Sequence, residues 1–197
     1  LALLRLAGGI RKLHSLASAV LGAADADSRL KSDPSFTEPV YALNEMGLVW
    51  AWAMFEAVAR FAWFKAAEHH AGAFPSDLEA SEMAFNNIAG MANLYRAAFG
   101  EDERVARVES NVELLELAAR RNVLAHNMGA VDSNFIRKTG CPDTGLGYGT
   151  RVTFKDVQRL VVAAVRGAEM LIAVIDDWER SVEPGSVAIH TPGGSEP

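Results

Sequence analysis

The most constraining feature of this sequence is a long apolar stretch, residues 47–64, that carries two charges near its centre. Its length approaches the roughly 20 residues of a membrane-spanning helix. Glu56 and Arg60 lie four residues apart with the acid first, the order that favours an ion pair along one helix. A lone membrane span carrying both charges would be costly. We therefore expect a buried helix within a folded core, and no transmembrane segment.

The composition fits a folded domain. Of the 197 residues, 50% are hydrophobic and 22% are charged, with a net charge of −6. This balance is typical of globular domains and excludes a disordered chain. The single cysteine, Cys141, cannot form a disulfide within the chain, which favours a reducing compartment. Arg5, Arg11 and Lys12 interrupt every candidate signal-peptide core in residues 1–23, so an amphipathic helix is predicted there. We therefore expect a cytoplasmic protein.

Hydrophobic periodicity and helix-end signals predict five helices. The third is expected to start at the capping box of Ser76, and the last at the N-cap Thr153. A glycine-rich loop is expected over residues 127–152, and a disordered tail over 185–197. The predicted fold is all-α, a bundle of about five helices in one domain, residues 1–184, with one long loop before the last helix. The predicted helices cover about residues 2–22, a stretch that begins between 37 and 40 and ends at about 69, and residues 76–100, 102–126 and 153–181.

The fourth predicted helix carries an apolar stripe that turns polar towards its end. Continuing the stripe's steps of three and four residues leads to Asn122 and His126. Burying an amide and an imidazole costs on the order of 1–3 kcal/mol for each unsatisfied group, so both need partners. Spacing alone also allows a purely structural role for both residues. Asn122 would then cap the end of the helix, and His126 would lie near the negative end of the helix dipole. The apolar positions of the stripe are Val105, Val108, Val112, Leu115 and Ala119.

The same helix end carries a family resemblance. Residues 121–135 read RNVLAHNMGAVDSNF. They resemble the HEPN superfamily of helical-bundle ribonucleases, in which an arginine, a polar residue and a histidine a few positions on lie at a helix end. Arg121, Asn122 and His126 match this signature, and the continuation is similar to members linked to phage defence and abortive infection. Met128 stands where one toxin group has a tyrosine that an antitoxin modifies, so the resemblance does not support that control mechanism.

The resemblance implies a metal-independent endoribonuclease of a phage-defence or toxin–antitoxin system, with Arg121, Asn122 and His126 as catalytic residues. Attack by the 2′-hydroxyl, which leaves a 2′,3′-cyclic phosphate, needs a base, an acid and stabilisation of the phosphate charge. Histidine titrates near neutral pH and suits either proton transfer. An arginine fork fits phosphate, and the asparagine can orient either group. Because one chain offers one histidine here, the resemblance implies a homodimer whose two motifs share a cleft.

Basic residues concentrate around this motif although the whole chain is acidic. In residues 118–166 the acidic side chains are Asp132, Asp143 and Asp156, and the basic ones are Arg120, Arg121, Arg137, Lys138, Arg151, Lys155, Arg159 and Arg166. Such a window is typical of a polyanion site, and chance clustering on solvated faces is the alternative. We therefore predict RNA as a partner. The predicted RNA-binding residues are Arg120, Asn127, Arg137, Lys138 and Arg151.

Other chemistries lack a motif. The sequence has no H-E-x-x-H and no Cys/His ligand spacing, and the glycine run at residues 145–149 lacks the lysine of a phosphate loop. We therefore expect no metal and no cofactor. The main alternative is a non-catalytic HEPN-like dimerisation or ligand-binding module of a defence or signalling system. An antitoxin or defence protein would be a further partner in either case. A structural helical protein with an accidental motif is the third interpretation.

Overall fold

A computed structural model describes residues 37–70, 84–126, 130–140, 147 and 152–182. These residues form six helices and no β-strand, so the predicted all-α fold is confirmed, with one helix more than expected. The predicted first helix, the helix start at Ser76 and the C-terminal tail lie outside the described residues. The helices are α1 (Thr37–His69), α2 (Ile88–Phe99), α3 (Glu103–Glu109), α4 (Val112–His126), α5 (Ser133–Thr139) and α6 (Phe154–Ser181).

The two long helices α1 and α6 pack along each other and form the centre of the main core. Gly167 of α6 allows a close approach, because a Cβ there would lie 2.8 Å from Leu114 Cδ1 and 3.1 Å from Phe55 Cε2. Tyr95 of α2 is fully buried, and its hydroxyl donates to the Ala59 carbonyl oxygen at 2.9 Å. Burial raises the pKa of this phenol above its ordinary range. The core therefore joins α1, α2, α3, α4 and α6.

The charged pair in the apolar helix forms as predicted. Arg60 Nη2 lies 3.0 Å from Glu56 Oε1, and Trp52 Nε1 donates to Glu56 Oε2 at 3.1 Å. The Arg60 guanidinium also lies 5.8 Å from the Phe85 ring centroid. These contacts pair the two charges within the protein, although the buried Arg60 Nε has no hydrogen-bond partner there. No helix in the described part of the chain combines the length and apolarity that crossing a membrane requires.

The predicted third helix, residues 76–100, is not continuous. The chain turns at residues 85–87, and α2 begins only at Ile88. Asn87 causes the break, because its side-chain oxygen accepts from the Gly90 amide at 2.8 Å and caps the new helix. A Cβ at Gly90 would lie 2.5 Å from the Ala84 carbonyl oxygen, so the close approach of the two segments requires a glycine. The Asn87 cap therefore starts a new helix at a place where the apolar periodicity predicts a continuous one.

The predicted fourth helix, residues 102–126, is also interrupted. The Ser110 hydroxyl donates to the Ala106 carbonyl at 2.8 Å and closes α3. Asn111 Oδ1 then accepts from the Leu114 amide at 2.9 Å and starts α4. A serine and an asparagine in sequence offer the backbone hydrogen bonds that compete with a continuous helix. The break therefore lies at Ser110 and Asn111, two polar residues whose short side chains apolar periodicity does not take into account.

The break overturns the predicted buried stripe. Val105 and Val108 lie in the main core, but Val112 is 74% exposed and Leu115 is 39% exposed. Two α4 residues outside the predicted stripe, Leu114 and Leu117, are fully buried instead. The reason is the new helix start at residue 112, which changes the rotation of α4 relative to α3. Of the later positions of the stripe, Ala119 is buried, Asn122 is half-buried and His126 is exposed.

The predicted loop 127–152 contains a helix. Asp132 Oδ1 accepts from the Phe135 amide at 2.7 Å and caps the start of α5. Gly140, at φ 67°, ends it in the left-handed conformation that favours glycine. The start of α6 agrees with the prediction, since Thr153 forms a reciprocal capping box with Asp156. Short helices of this kind escape detection because seven residues carry too little periodicity.

Candidate functional site

A second, smaller core fixes α5 against the C-terminal half of α4. It consists of four buried apolar residues, and the Arg120 guanidinium lies 5.9 Å from the ring centroid of one of them, Phe135. The Gly147 amide donates to the Val131 carbonyl at 2.9 Å and holds the returning chain against this small core. The position of α5 therefore depends on few apolar contacts. The four residues of the small core are Ala119, Val123, Val131 and Phe135.

A cleft of about 290 Å³ lies between α4 and α5, at the end of α4. Asn122 and His126, one helical turn apart, both line it, so two of the three predicted catalytic residues lie together. His126 is exposed, which differs from the buried position that the stripe predicted. It is thus accessible to a molecule in the cleft. The lining residues are Ala119, Asn122, Val123, His126, Asp132, Asn134, Phe135 and Lys138.

Arg121, the third predicted catalytic residue, lies beside the cleft. Its half-buried side chain is not among the residues that line the cleft. Arg121 Nη1 donates to Asn122 Oδ1 at 2.8 Å and connects the guanidinium to the cleft wall. This bond occupies the acceptor side of the Asn122 amide, which leaves Nδ2 as the group that can donate to a bound anion. The structure thus links Arg121 to Asn122 by a hydrogen bond, and Asn122 shares the cleft with His126.

The positive charge of the predicted window is partly neutralised by a residue just outside it. Glu116 Oε1 accepts from Arg120 Nε, and Glu116 Oε2 accepts from Arg159 Nη2, each at 2.8 Å. Arg159 also lies 3.6 Å from Asp156 Oδ1. The Arg120–Glu116 pair is largely buried, with side chains 13% and 16% exposed. Glu116 therefore connects Arg120 of α4 to Arg159 of α6, and the predicted RNA contact of Arg120 stays a prediction.

The cations of α5 are more accessible. Arg137 and Lys138 are both exposed, and Lys138 lines the cleft. Arg137 Nη2 donates to Asn134 Oδ1 at 2.7 Å. Two other predicted RNA-binding residues, Asn127 and Arg151, lie outside the described residues. The structure thus brings one predicted RNA-binding side chain, that of Lys138, to the same cleft as the motif.

Lys138 was predicted on the α5 side of the cleft, but the other polar residues of that side were not. Asp132 and Asn134 line it, although neither was predicted as a site residue. The available signal was Asp132 itself, an N-cap residue three positions before the buried Phe135. Within the described residues, no group of three or more His, Cys, Asp or Glu side chains is arranged to hold a metal ion. The site that the structure defines is therefore an open polar cleft between two helices.

Comparison with known proteins adds no relative. The chain matches no family model, no curated protein and no solved structure at a significant level. The family resemblance therefore remains a prediction that rests on residues 121–135. The geometry of the cleft stands independently of it.

Proposed function

We propose that this chain is a metal-independent endoribonuclease that cleaves RNA in the cleft between α4 and α5. The observation that carries the proposal is the shared position of Asn122 and His126 on one cleft, with Lys138 contributed by α5. An imidazole, an amide and an ammonium supply proton transfer, hydrogen bonding and charge for a phosphate. The Arg121–Asn122 hydrogen bond adds a guanidinium at the same wall.

The proposed reaction is transesterification. The 2′-oxygen attacks phosphorus, the bond from phosphorus to the 5′-oxygen breaks, and a 2′,3′-cyclic phosphate forms. Neutral His126 accepts the proton of the 2′-hydroxyl, and an acid donates a proton to the leaving 5′-oxygen. In the proposed homodimer, His126 of the second copy supplies that acid. Both proton transfers then use residues of one motif.

The developing phosphate charge is stabilised in two ways in this proposal. Asn122 Nδ2 donates to a phosphate oxygen, and Arg121 strengthens that bond because it holds the carbonyl side of the same amide. Lys138 supplies a compact positive charge from α5. Donors held in place before the reaction act most strongly on charge that appears in the transition state.

The cleft dimensions favour single-stranded RNA as the substrate. Its volume of about 290 Å³ lies at the low end of small-molecule pockets, which span roughly 300–1,000 Å³. Proteins that recognise RNA sequence mostly bind unpaired segments, whose bases and 2′-hydroxyls are accessible. The proposed setting, a cytoplasmic defence or toxin–antitoxin system, rests on the motif resemblance alone.

The test compares the wild-type protein with His126→Ala and with His69→Ala as a matched control. His69 is an exposed histidine at the end of another helix, α1. Incubation with unstructured RNA should give 2′,3′-cyclic ends, with the rate lowered 10²–10⁴-fold in His126→Ala only. EDTA should leave the rate unchanged. Circular dichroism should show that both variants keep the helical fold, since alanine at an exposed helix end creates no cavity.

Three outcomes would contradict the proposal. Equal cleavage by wild type and His126→Ala would place the activity elsewhere. Loss of cleavage in EDTA, with recovery on adding Mg²⁺ or Mn²⁺, would exclude the metal-independent mechanism. An absence of cleavage on varied RNA substrates would favour the non-catalytic binding module.

A further inference from the structure

One face of α1 is both exposed and apolar. Between residues 41 and 64, all of which are described, every exposed residue is apolar. Leu43, Met46 and Trp50 are 66%, 56% and 59% exposed. None of the residues that line the cleft belongs to α1, so the face is a separate surface. The exposed residues of this apolar face are Ala42, Leu43, Met46, Trp50, Ala53, Ala57, Phe61 and Phe64.

The apolar face is large enough to be an interaction site. From Leu43 to Phe64 it extends over about 33 Å of helix, at roughly 1.5 Å per residue. At a width of about 10 Å it covers roughly 330 Å², the size of the largest apolar patch on many monomeric proteins. Patches of this size are often functional, and we therefore asked which segment could cover this one.

A segment of matching length precedes α1 in the sequence. Residues 2–22, which lie outside the described residues, are predicted to form an amphipathic helix, and about 20 helical residues extend over about 30 Å. Gly8 and Gly9 lower the stability of such a helix in isolation, so it needs to bury its apolar stripe against a partner. The stripe consists of Leu3, Leu6, Ile10, Leu13, Ala17 and Val20.

The connection between this segment and α1 favours a contact within one chain. At up to about 3.3 Å per residue, residues 23–36 reach well beyond the roughly 8–10 Å between the axes of packed helices. They can therefore reverse the chain direction, so that residues 2–22 lie antiparallel to α1. A short tether keeps the segment at an effective concentration near the millimolar range. A second copy or another protein at micromolar concentration competes poorly with it.

The charges beside the two apolar surfaces are complementary in the antiparallel arrangement. One flank of the α1 face carries half-buried Glu45 and Glu56 together with Arg60, so acidic residues outnumber basic ones there. The segment contains basic but no acidic residues, and at about 100° per residue Arg5 and Lys12 fall on one flank of its stripe. In an antiparallel pair this flank faces the two glutamates, whereas a parallel pair would turn it away from them.

We propose that residues 2–22 form a helix that packs antiparallel on the apolar face of α1 in the same chain. In this arrangement Leu13 lies against Trp50, near the centre of the face. The face is then covered from within the chain, and any contact between two copies uses another surface. The inference goes beyond the proposed function, because it holds whether or not the cleft cleaves RNA.

The test measures how fast a thiol at the centre of the face reacts in the full chain. In a Cys141→Ser background, Ala53→Cys should react with a maleimide roughly tenfold or more slowly than Val112→Cys, because only the undocked state exposes it. Val112 is the matched control site, since it is 74% exposed and lies on α4. Both substitutions are small and lie on exposed positions, so the fold should remain intact.

Substitutions within the segment then identify what covers the thiol. Ile10→Glu combined with Leu13→Glu places charges on the stripe and should raise the Ala53→Cys rate to that of the control site. Ser15→Glu combined with Ser18→Glu adds the same charge outside the stripe and should leave the rate low. Circular dichroism and cooperative thermal unfolding establish that each variant is folded.

Three results would overturn this packing. Equal rates for Ala53→Cys and Val112→Cys would mean that the face is uncovered, and this comparison needs no substitution in the segment. Protection that persists after the stripe substitutions would mean that something other than residues 2–22 covers the face. Protection that increases with protein concentration would mean that a second copy covers it. None of these readouts depends on RNA cleavage.

Discussion

The two seven-residue helices α3 and α5 have the same local design but different surroundings. Each starts at an aspartate, Asp102 or Asp132, whose side chain accepts a backbone amide of the first turn. In α3, Val105 and Val108 are buried in the main core. In α5, the fully buried side chain is Phe135, which lies in the small core on α4. The same capping signal thus starts one helix that packs in the main core, α3, and one that packs in the small core, α5.

The different surroundings give the two helices different roles. Arg104 of α3 binds Asp177 of α6 at 2.7 Å, which adds an ion pair to the apolar anchoring. On α5, Asn134 and Lys138 line the cleft. A short helix with few apolar contacts opens more easily than the core around it. One wall of the candidate site therefore lies on the less strongly anchored of these two helices, beside the main core.

The largest expected effect tests this difference directly. Phe135→Ala should lower RNA cleavage about 10²-fold, because the wall of the cleft loses its anchor and groups in the site move. Val108→Ala in α3 should leave cleavage unchanged at low temperature. It should instead lower the free energy of unfolding by roughly 1–3 kcal/mol through loss of buried surface and a cavity. Cleavage rates and urea unfolding curves measure the two effects.

Hydrogen exchange provides the control for this pair of variants. In Phe135→Ala, the amides of α5 should exchange faster while those of α1 and α6 keep their protection. If Phe135→Ala cleaves RNA normally, α5 is not a wall of the site. Loss of cleavage in a fully folded Val108→Ala variant would mean that the two helices do not differ in role.

A smaller effect concerns the exposed cations. Arg137→Ala combined with Lys138→Ala on α5 should weaken RNA binding roughly tenfold near 0.1 M salt, since each lost phosphate contact reduces counterion release. The salt dependence of binding should flatten as well. Arg107→Ala combined with Arg180→Ala removes two exposed cations from α3 and the end of α6, and should change neither. Fluorescence anisotropy with labelled RNA over a salt series separates the pairs. Equal losses in both would indicate a diffuse charge effect.

The smallest effect is the pH dependence of α3. The Arg104 side chain, which binds Asp102 at 2.7 Å, lowers the pKa of that carboxyl below its ordinary value of 3.8. A lowered pKa in the folded state contributes stability that is present above the unfolded value and lost as the pH falls through the folded one. We therefore expect this ion pair to contribute less than about 1 kcal/mol to the free energy of unfolding, because the pair is partly exposed. Asp102→Asn keeps a capping oxygen but should lower the thermal stability above about pH 4, and its difference from the wild-type protein should shrink as the pH falls below that value. An unchanged pH profile would contradict it.

Much of the fold was predictable from local patterns. The bounds of α1 and the start of α6 follow from apolar periodicity and from the Thr153 capping box, and both agree with the structure. The ion pair between Glu56 and Arg60 follows from their four-residue spacing. Such features depend on neighbours within one or two turns. The sequence alone therefore determines them.

The predicted buried stripe was wrong where side-chain hydrogen bonds to the backbone compete with continuation of the helix. Asn87 and the Ser110–Asn111 pair end helices that periodicity alone would continue, because their side chains bond to the backbone. Each break changes which residues of the following helix are buried. Small errors at helix starts thus become large errors in the predicted core.

The candidate site shows the same division between local and tertiary information. The sequence by itself indicated Arg121, Asn122 and His126, because their types and spacing at a helix end are local. Only the tertiary structure brought Lys138 to the same cleft and paired Arg120 with Glu116. The physical reason is that a charge count along the chain ignores which charges meet in space. Contacts between helices distant in sequence depend on packing, which no short pattern contains.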